Sequence, residues 1–119
     1  MLDHMRGSIV AIVTPMQPDG SLDMIGLNAL LEWHIASGTN AVVIVGTTGE
    51  SATLSTDEHC DLVAHCVNEV NGRIPVIAGT GSNNTAEALY FTESAKKNGA
   101  DAALLVTPYY NRPSQEGLY

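Results

Sequence analysis

The sequence has little positive charge. Five Lys and Arg residues stand against 13 Asp and Glu, which gives a net charge of -8 over 119 residues. A surface that binds nucleic acid needs clustered basic side chains, so this composition argues against a DNA or RNA partner. The two lysines, Lys96 and Lys97, are adjacent in the last turn of a predicted helix. We expect both to be solvated, because a cation there is favoured by the helix dipole.

The sequence also lacks long apolar runs. No run approaches the roughly 20 residues that a membrane-spanning helix requires. The N-terminus does not show the basic-then-apolar pattern of a secretory signal, and residues 1–5 are given no structural role. These absences predict a cytoplasmic protein without a membrane partner.

Cysteine and metal-ligand patterns are sparse. Cys60 and Cys66 are six residues apart in one predicted helix, so their Cα atoms would be roughly 9 Å apart, too far for a disulfide. We expect both thiols to be reduced packing groups. His59 and His65 have the same spacing, whereas zinc-binding histidines on a helix are usually four residues apart. No metal site is therefore predicted, and His59 is expected to have a surface or capping role.

Four short apolar segments alternate with three helical segments. The first helix is predicted to begin at Asp23 and to end at Gly38, where glycine provides a stop. Ser55 and Glu58 form a capping-box pattern that opens the second helix, and Asn84 with Glu87 repeats this pattern for the third. The apolar segments show no alternation, as expected for strands of a parallel sheet covered by helices. They comprise residues 7–13, 41–45, 75–79 and 102–106.

The order of these elements fits two α/β folds, a (β/α)8 barrel and a doubly wound sheet. A dinucleotide site of the second fold needs Gly-x-Gly-x-x-Gly after the first strand, where this chain has Thr14-Pro15-Met16. We therefore predict a (β/α)8 TIM barrel. A complete barrel needs about 250 residues. Residues 1–119 are thus expected to form the N-terminal part of a single barrel domain, covering about four strands and three helices of a longer protein.

Hydroxyl side chains follow the ends of all four predicted strands. Thr47 and Thr48 lie between two glycines directly after the second strand, and Thr14, Thr80 and Thr107 follow the others. The carboxyl ends of parallel strands share one rim, which is where ligands bind in this fold class. An ordinary strand-to-helix turn explains any one of these loops. The convergence of four loops predicts a site for a small, oxygen-rich ligand.

Three motifs resemble the dihydrodipicolinate synthase family. They are Gly-Thr-Thr-Gly-Glu-Ser at 46–51, Ile-Ala-Gly-Thr-Gly at 77–81 and Val-Thr-Pro-Tyr-Tyr-Asn-Arg-Pro at 106–113. The Gly-x-Thr-Gly-Glu element is shared with other pyruvate-dependent aldolases, including N-acetylneuraminate lyase. Thr47 and the Tyr-Tyr-Asn-Arg-Pro run point more narrowly to the synthase.

The resemblance implies a lyase that condenses pyruvate with aspartate semialdehyde in lysine and diaminopimelate biosynthesis. It needs no cofactor, because pyruvate forms a Schiff base with a lysine on a later strand. Carried over by position, Thr48 binds the pyruvate carboxylate, and Thr47 and Tyr110 belong to a proton relay. A phenol holds its proton at neutral pH and can pass it along a chain of hydroxyls. Tyr110 is implied to reach a neighbouring subunit, in a homotetramer built as a dimer of dimers.

The resemblance also implies a lysine effector bound at a subunit interface. Some lysine-sensitive members have a histidine where this chain has Thr56, so feedback inhibition is not settled by the sequence. The positions that match the effector site are Ser51, Ala52, His59, Asn83, Glu87 and Tyr109.

The Schiff-base lysine of the family falls beyond Tyr119, so residues 1–119 alone are expected to be inactive. Two alternatives remain open at this stage. One is another pyruvate-dependent aldolase, acting on a sugar acid such as N-acetylneuraminate. The other is a non-catalytic half barrel that folds only by pairing with itself or with a partner.

Overall fold

A computed structural model describes residues 5–119. For residues 1–5 no structural role was predicted, and residues 1–4 of that segment lie outside the described residues. The elements are β1 Ile9–Ala11, α1 Met24–Ala36, β2 Ala41–Ile44, a 3-10 turn at Ser51–Thr53, α2 Thr56–Val70, β3 Val76–Gly79, α3 Thr85–Lys97, β4 Ala102–Leu104 and α4 Gln115–Leu118. The four strands are parallel and form one sheet in the order β1-β2-β3-β4, with α1, α2 and α3 as the crossovers between them. The short helix α4 was not predicted.

The sheet has the register of consecutive βα units. Val42 of β2 lies beside Val10 of β1 and Val76 of β3, and Ala78 of β3 lies beside Ala103 of β4. This chain order, with every neighbour parallel, is that of the first half of a (β/α)8 barrel. The predicted fold class is therefore confirmed. The strands are shorter than the apolar segments from which they were predicted.

The core lies between the sheet and the central helix. α2 contacts both flanking helices and the two central strands. Leu62 and Val63 of α2 are almost fully buried, as are Leu31 of α1 and Val42 and Val76 of the sheet. All four residues of β2 are buried, which confirms the prediction of a strand covered on both faces. In contrast, Leu104 at the end of β4 is 52% exposed.

Helix starts follow the local sequence signals at α1 and α2. The Asp23 side chain accepts a hydrogen bond from the Gly26 N–H, at 2.9 Å. Ser55 and Glu58 form a complete capping box: the Ser55 N–H donates to Glu58 Oε2, at 2.8 Å, and the Glu58 N–H donates to Ser55 Oγ, at 3.2 Å. These bonds satisfy backbone donors that the helix cannot pair internally.

The thiols behave as predicted from their spacing. Cys60 and Cys66 are both free. Cys66 is 1% exposed within the core, and burial raises the pKa of its thiol to about 12. It therefore stays protonated and acts as a small apolar group.

None of the helices within residues 5–119 is long and apolar enough to cross a bilayer. The same residues contain no cluster of three His, Cys, Asp or Glu side chains arranged to hold a metal ion.

Candidate functional site

The loop after β2 has an unusual backbone that the surrounding chain holds in place. Val45 and Glu50 have φ values of 47° and 58°, in the left-handed region that a β-branched valine rarely adopts. Buried Thr14 donates from Oγ1 to the Gly49 carbonyl oxygen, at 2.7 Å. The Glu50 N–H donates to the Thr47 carbonyl oxygen, at 3.0 Å. The segment that follows β1 thus helps to fix the loop that carries the two adjacent threonines.

Main chain also approaches this loop from the end of β3. A Cβ atom added at Gly79 would lie 2.4 Å from the Val45 carbonyl oxygen and 2.8 Å from the Gly46 Cα. Both distances are far below a normal contact, and the atoms involved belong to the backbone. Only glycine permits β3 and the β2 loop to pack this closely.

The loops after β2, β3 and β4 surround a cavity of about 280 Å³, which we call the strand-end cavity. An adjoining cavity of about 370 Å³ is lined on one side by Tyr109. Thr47, Ser51, Gly81 and Val106 line both, so the two cavities share one wall. Thr47 is thus placed where the sequence predicted a ligand-binding hydroxyl.

The structure does not bring all three predicted catalytic and substrate-binding residues together. Thr48 is exposed on the same loop, and among the described residues it lines neither cavity. Tyr110 is 93% exposed with a φ of 68°, and it too is outside the lining of both spaces within residues 5–119. Lys96 and Lys97 lie in the last turn of α3, both exposed as predicted.

A third cavity, of about 130 Å³, lies between the 3-10 turn and the starts of α2 and α3; we call it the helix-start cavity. It gathers five of the six residues matched to an effector site. Asn83 does not line it, but its carbonyl oxygen accepts a hydrogen bond from the Asn111 amide, at 2.6 Å, which ties the loop after β4 to the start of α3. The lining residues are Ser51, Ala52, Leu54, Thr56, His59, Gly81, Glu87, Phe91 and Tyr109.

His59 is not a surface residue, which corrects the prediction of a surface or capping role. It is 3% exposed and stacks on Phe91, with ring centroids 3.9 Å apart and an interplanar angle of 10°. Its Nε2 is buried without a hydrogen-bond partner within residues 5–119. Burial lowers the pKa of His59, partly offset by the Gly79 backbone and the Glu87 charge, which favours the neutral ring.

Glu87 does not complete a capping box, so the prediction that α3 repeats the pattern of α2 was wrong in this respect. Asn84 does cap α3, accepting from the Ala86 N–H at 3.1 Å. The Glu87 carboxylate instead accepts a hydrogen bond from Ser82 Oγ. The Asn84 N–H donates to the same Ser82 oxygen, at 3.1 Å. Sequence reasoning missed this role of Ser82, although a serine two residues before a cap was a visible signal.

The fold and the strand-end loops place the chain in the class of (β/α)8-barrel proteins with a ligand site at the carboxyl ends of the strands. The model of the Dihydrodipicolinate synthetase family matches residues 4–119, and the chain belongs to this family.

The curated relatives and solved structures that match this chain agree with the family assignment. The chain is 63% identical over 114 residues to a 4-hydroxy-tetrahydrodipicolinate synthase of Teredinibacter turnerae, covering 96% of this chain and 39% of that protein. It is 64% identical over 113 residues to that of Azoarcus sp., covering 95% and 39%. The chain therefore spans about 39% of the length of these relatives.

Among solved structures, the chloride-inhibited dihydrodipicolinate synthase of Acinetobacter baumannii complexed with pyruvate is similar, with a TM-score of 0.93 and 61% identity. The match covers 95% of this chain and 39% of that one. The enzyme of Aquifex aeolicus gives a TM-score of 0.92 at 51% identity, covering 95% and 38%.

Proposed function

We propose that residues 1–119 are the N-terminal part of a single (β/α)8-barrel domain of a 4-hydroxy-tetrahydrodipicolinate synthase. The whole enzyme condenses pyruvate with L-aspartate 4-semialdehyde in the lysine and diaminopimelate pathway, in the cytoplasm. The observation that carries this proposal is the likeness to the Acinetobacter baumannii enzyme complexed with pyruvate, at 61% identity over 95% of this chain. The strand-end cavity, with Thr47 in its wall, supports it.

In this proposal the chain supplies hydroxyl groups, and the pyruvate-binding lysine lies on a later strand. Thr47 and Tyr110 pass protons between the bound substrates and solvent, and Thr48 binds the pyruvate carboxylate. The backbone constraints from Thr14 and Gly79 support the roles of Thr47 and Thr48, because both constraints hold the loop that carries these two hydroxyls and a proton relay needs hydroxyls at fixed positions. The exposure of Tyr110 is compatible with a role in a neighbouring subunit's site of a homotetramer.

The helix-start cavity is proposed as an effector site for L-lysine. Its lining combines one carboxylate, from Glu87, with the polar side chains of Ser51, His59 and Tyr109. An amino acid with a cationic side chain suits such a mixture of a charge and neutral hydrogen-bonding groups. Binding of L-lysine to the full-length enzyme, followed by calorimetry, tests this part of the proposal.

The catalytic proposal is tested by intact-mass spectrometry after incubation of the full-length protein with pyruvate and borohydride. Borohydride reduces a lysine–pyruvate imine to a stable adduct, so we expect one pyruvyl group per chain. Turnover of aspartate semialdehyde, and none of N-acetylneuraminate, distinguishes the synthase from a sugar-acid aldolase. A full-length protein that gives no adduct and no turnover would contradict the proposal.

A further inference from the structure

We propose that Ser82 is a positioning residue for the effector site: it holds the Glu87 carboxylate at the helix-start cavity, where that group binds the ammonium of an amino-acid effector. This inference rests on the effector role proposed above. It concerns a residue outside the set that the family resemblance assigned to the effector.

The hydrogen bonds of Ser82 fix the direction of its hydroxyl proton. A backbone N–H can only donate, so the Asn84 N–H, 3.1 Å away, occupies a lone pair of Ser82 Oγ. The single hydroxyl proton then goes to Oε2 of Glu87. Ser82 is 5% exposed whereas Glu87 is exposed, so the serine side of this bond is shielded from water and the carboxylate side is not. The result is a charge-assisted hydrogen bond that holds one carboxylate oxygen in place.

The same contacts release Glu87 from a capping role. In a capping box the glutamate of the first turn accepts from the N–H of the capping residue, as Glu58 does from Ser55. At α3 that N–H is already bound to Ser82, so Glu87 need not fold back onto the helix end. Its carboxylate remains beside the cavity, with a second oxygen available to a ligand.

Two features of the cavity point to a ligand with an ammonium group. Glu87 is the one carboxylate among its lining residues in the described part of the chain, and no Lys or Arg lines it there to neutralise this charge. His59 contributes a buried Nε2 that has no partner within residues 5–119. Because burial lowers the pKa of His59, the ring does not supply a competing cation at neutral pH.

The test is calorimetric titration of L-lysine into the full-length enzyme and its variants. We expect Ser82→Ala to weaken L-lysine binding about 3- to 10-fold, the range for loss of one hydrogen bond. Ser82→Thr keeps the hydroxyl and should restore the affinity. Ser55→Ala is the matched control, since it removes a helix-start serine whose glutamate partner is outside the cavity.

A double-mutant cycle separates positioning from a general structural effect. If Ser82 acts through Glu87, Ser82→Ala should change L-lysine affinity little in a Glu87→Gln background. If Ser82→Ala does not fold, Ser82→Cys replaces it with the same expectation, because a thiol is a weak donor.

The outcomes identify which idea fails. Wild-type protein that shows no L-lysine binding would contradict the effector role itself, and the inference with it. Wild-type binding that is unchanged in Ser82→Ala, or weakened equally with and without Glu87, would overturn the role of Ser82 alone. Pyruvate adduct formation tests the catalytic proposal independently of these L-lysine titrations.

Discussion

The starts of α2 and α3 carry the same sequence pattern and form different structures. Each has a polar cap followed three residues later by glutamate, and each has a hydroxyl residue two positions before the cap. Before α2, Thr53 donates from Oγ1 back to the Glu50 carbonyl, at 2.9 Å, which leaves Ser55 and Glu58 to pair with each other. Before α3, Ser82 turns towards the helix and bonds to both Asn84 and Glu87.

The difference shows how one upstream hydroxyl decides what a glutamate can do. Glu58 is bound at the end of its own helix and is outside the lining of the helix-start cavity among the described residues. Glu87 does not accept the hydrogen bond of a capping box, and it lines the cavity. A carboxylate that completes a capping box serves stability, whereas one held by a neighbouring residue remains available to a ligand.

The largest expected effect is on the glutamate that lines the cavity. Glu87→Gln removes the charge but keeps the shape, so we expect the full-length enzyme to bind L-lysine about 10- to 100-fold more weakly, corresponding to about 1.5–3 kcal/mol for a hydrogen bond to a charged group. Calorimetric titration measures the change. Glu58→Gln is the control and should leave the affinity for L-lysine within about twofold of wild type. Equal losses of affinity in the two variants would contradict the conclusion that Glu87, and not Glu58, is available to the ligand.

A smaller effect is expected on the cap of α2. Ser55→Ala removes the side-chain acceptor for the Glu58 N–H and should lower the free energy of unfolding by about 1 kcal/mol, as for other capping residues. Urea unfolding followed by circular dichroism measures it. Ser82→Ala should cost less stability, because Asn84 still accepts from the Ala86 N–H. A larger loss in Ser82→Ala than in Ser55→Ala would show that Ser82 is mainly a structural cap.

The smallest effect concerns the ring stack of His59 on Phe91, which joins α2 and α3. Burial lowers the pKa of His59 below its ordinary 6.5, so the unfolded chain takes up a proton more readily than the folded one as pH falls. The folded protein should therefore lose stability below about pH 6.5. The loss is moderated because Glu87 and the Gly79 backbone oppose the effect of burial.

His59→Phe preserves an aromatic ring against Phe91 and removes the titrating group, so its unfolding free energy should depend less on pH in this range. Urea unfolding at pH 7.5 and pH 5.5 makes the comparison. His65→Gln is the control, because His65 is only partly buried and its Nε2 lies 2.6 Å from Asn28 Oδ1. A pH dependence that is the same in His59→Phe and wild type would exclude His59 as its source.

Local signals in the sequence were sufficient for much of the fold. Asp23 and Ser55 cap the helices they were predicted to cap, because their partners are only three residues away. The parallel order of the strands follows from helical segments between apolar ones. The burial of His59 could not be read in this way, because it depends on Phe91, which is 32 positions away in the chain and on another helix.

The candidate sites show the same division. Thr47 could be placed at the strand-end rim, since a residue directly after a parallel strand must lie there. The effector residues were identified from the family resemblance, and their roles are proposals. The finding that five of the six line one cavity supports these proposals. The bond between Ser82 and Glu87 was missed because Asn84 and Glu87 alone satisfy the capping pattern. The roles of Thr47, Thr48 and Tyr110 stay predictions.

The contact between Gly79 and the β2 loop has a consequence for how this site can change in evolution. Where a Cβ would lie 2.4 Å from a carbonyl oxygen, the boundary of the strand-end cavity is formed by main chain that no single side-chain replacement can reshape. Selection for a new substrate must then act on the residues around this boundary, such as Thr47 and Leu105, or move whole strands. Relatives with altered specificity should keep this glycine while the surrounding side chains diverge.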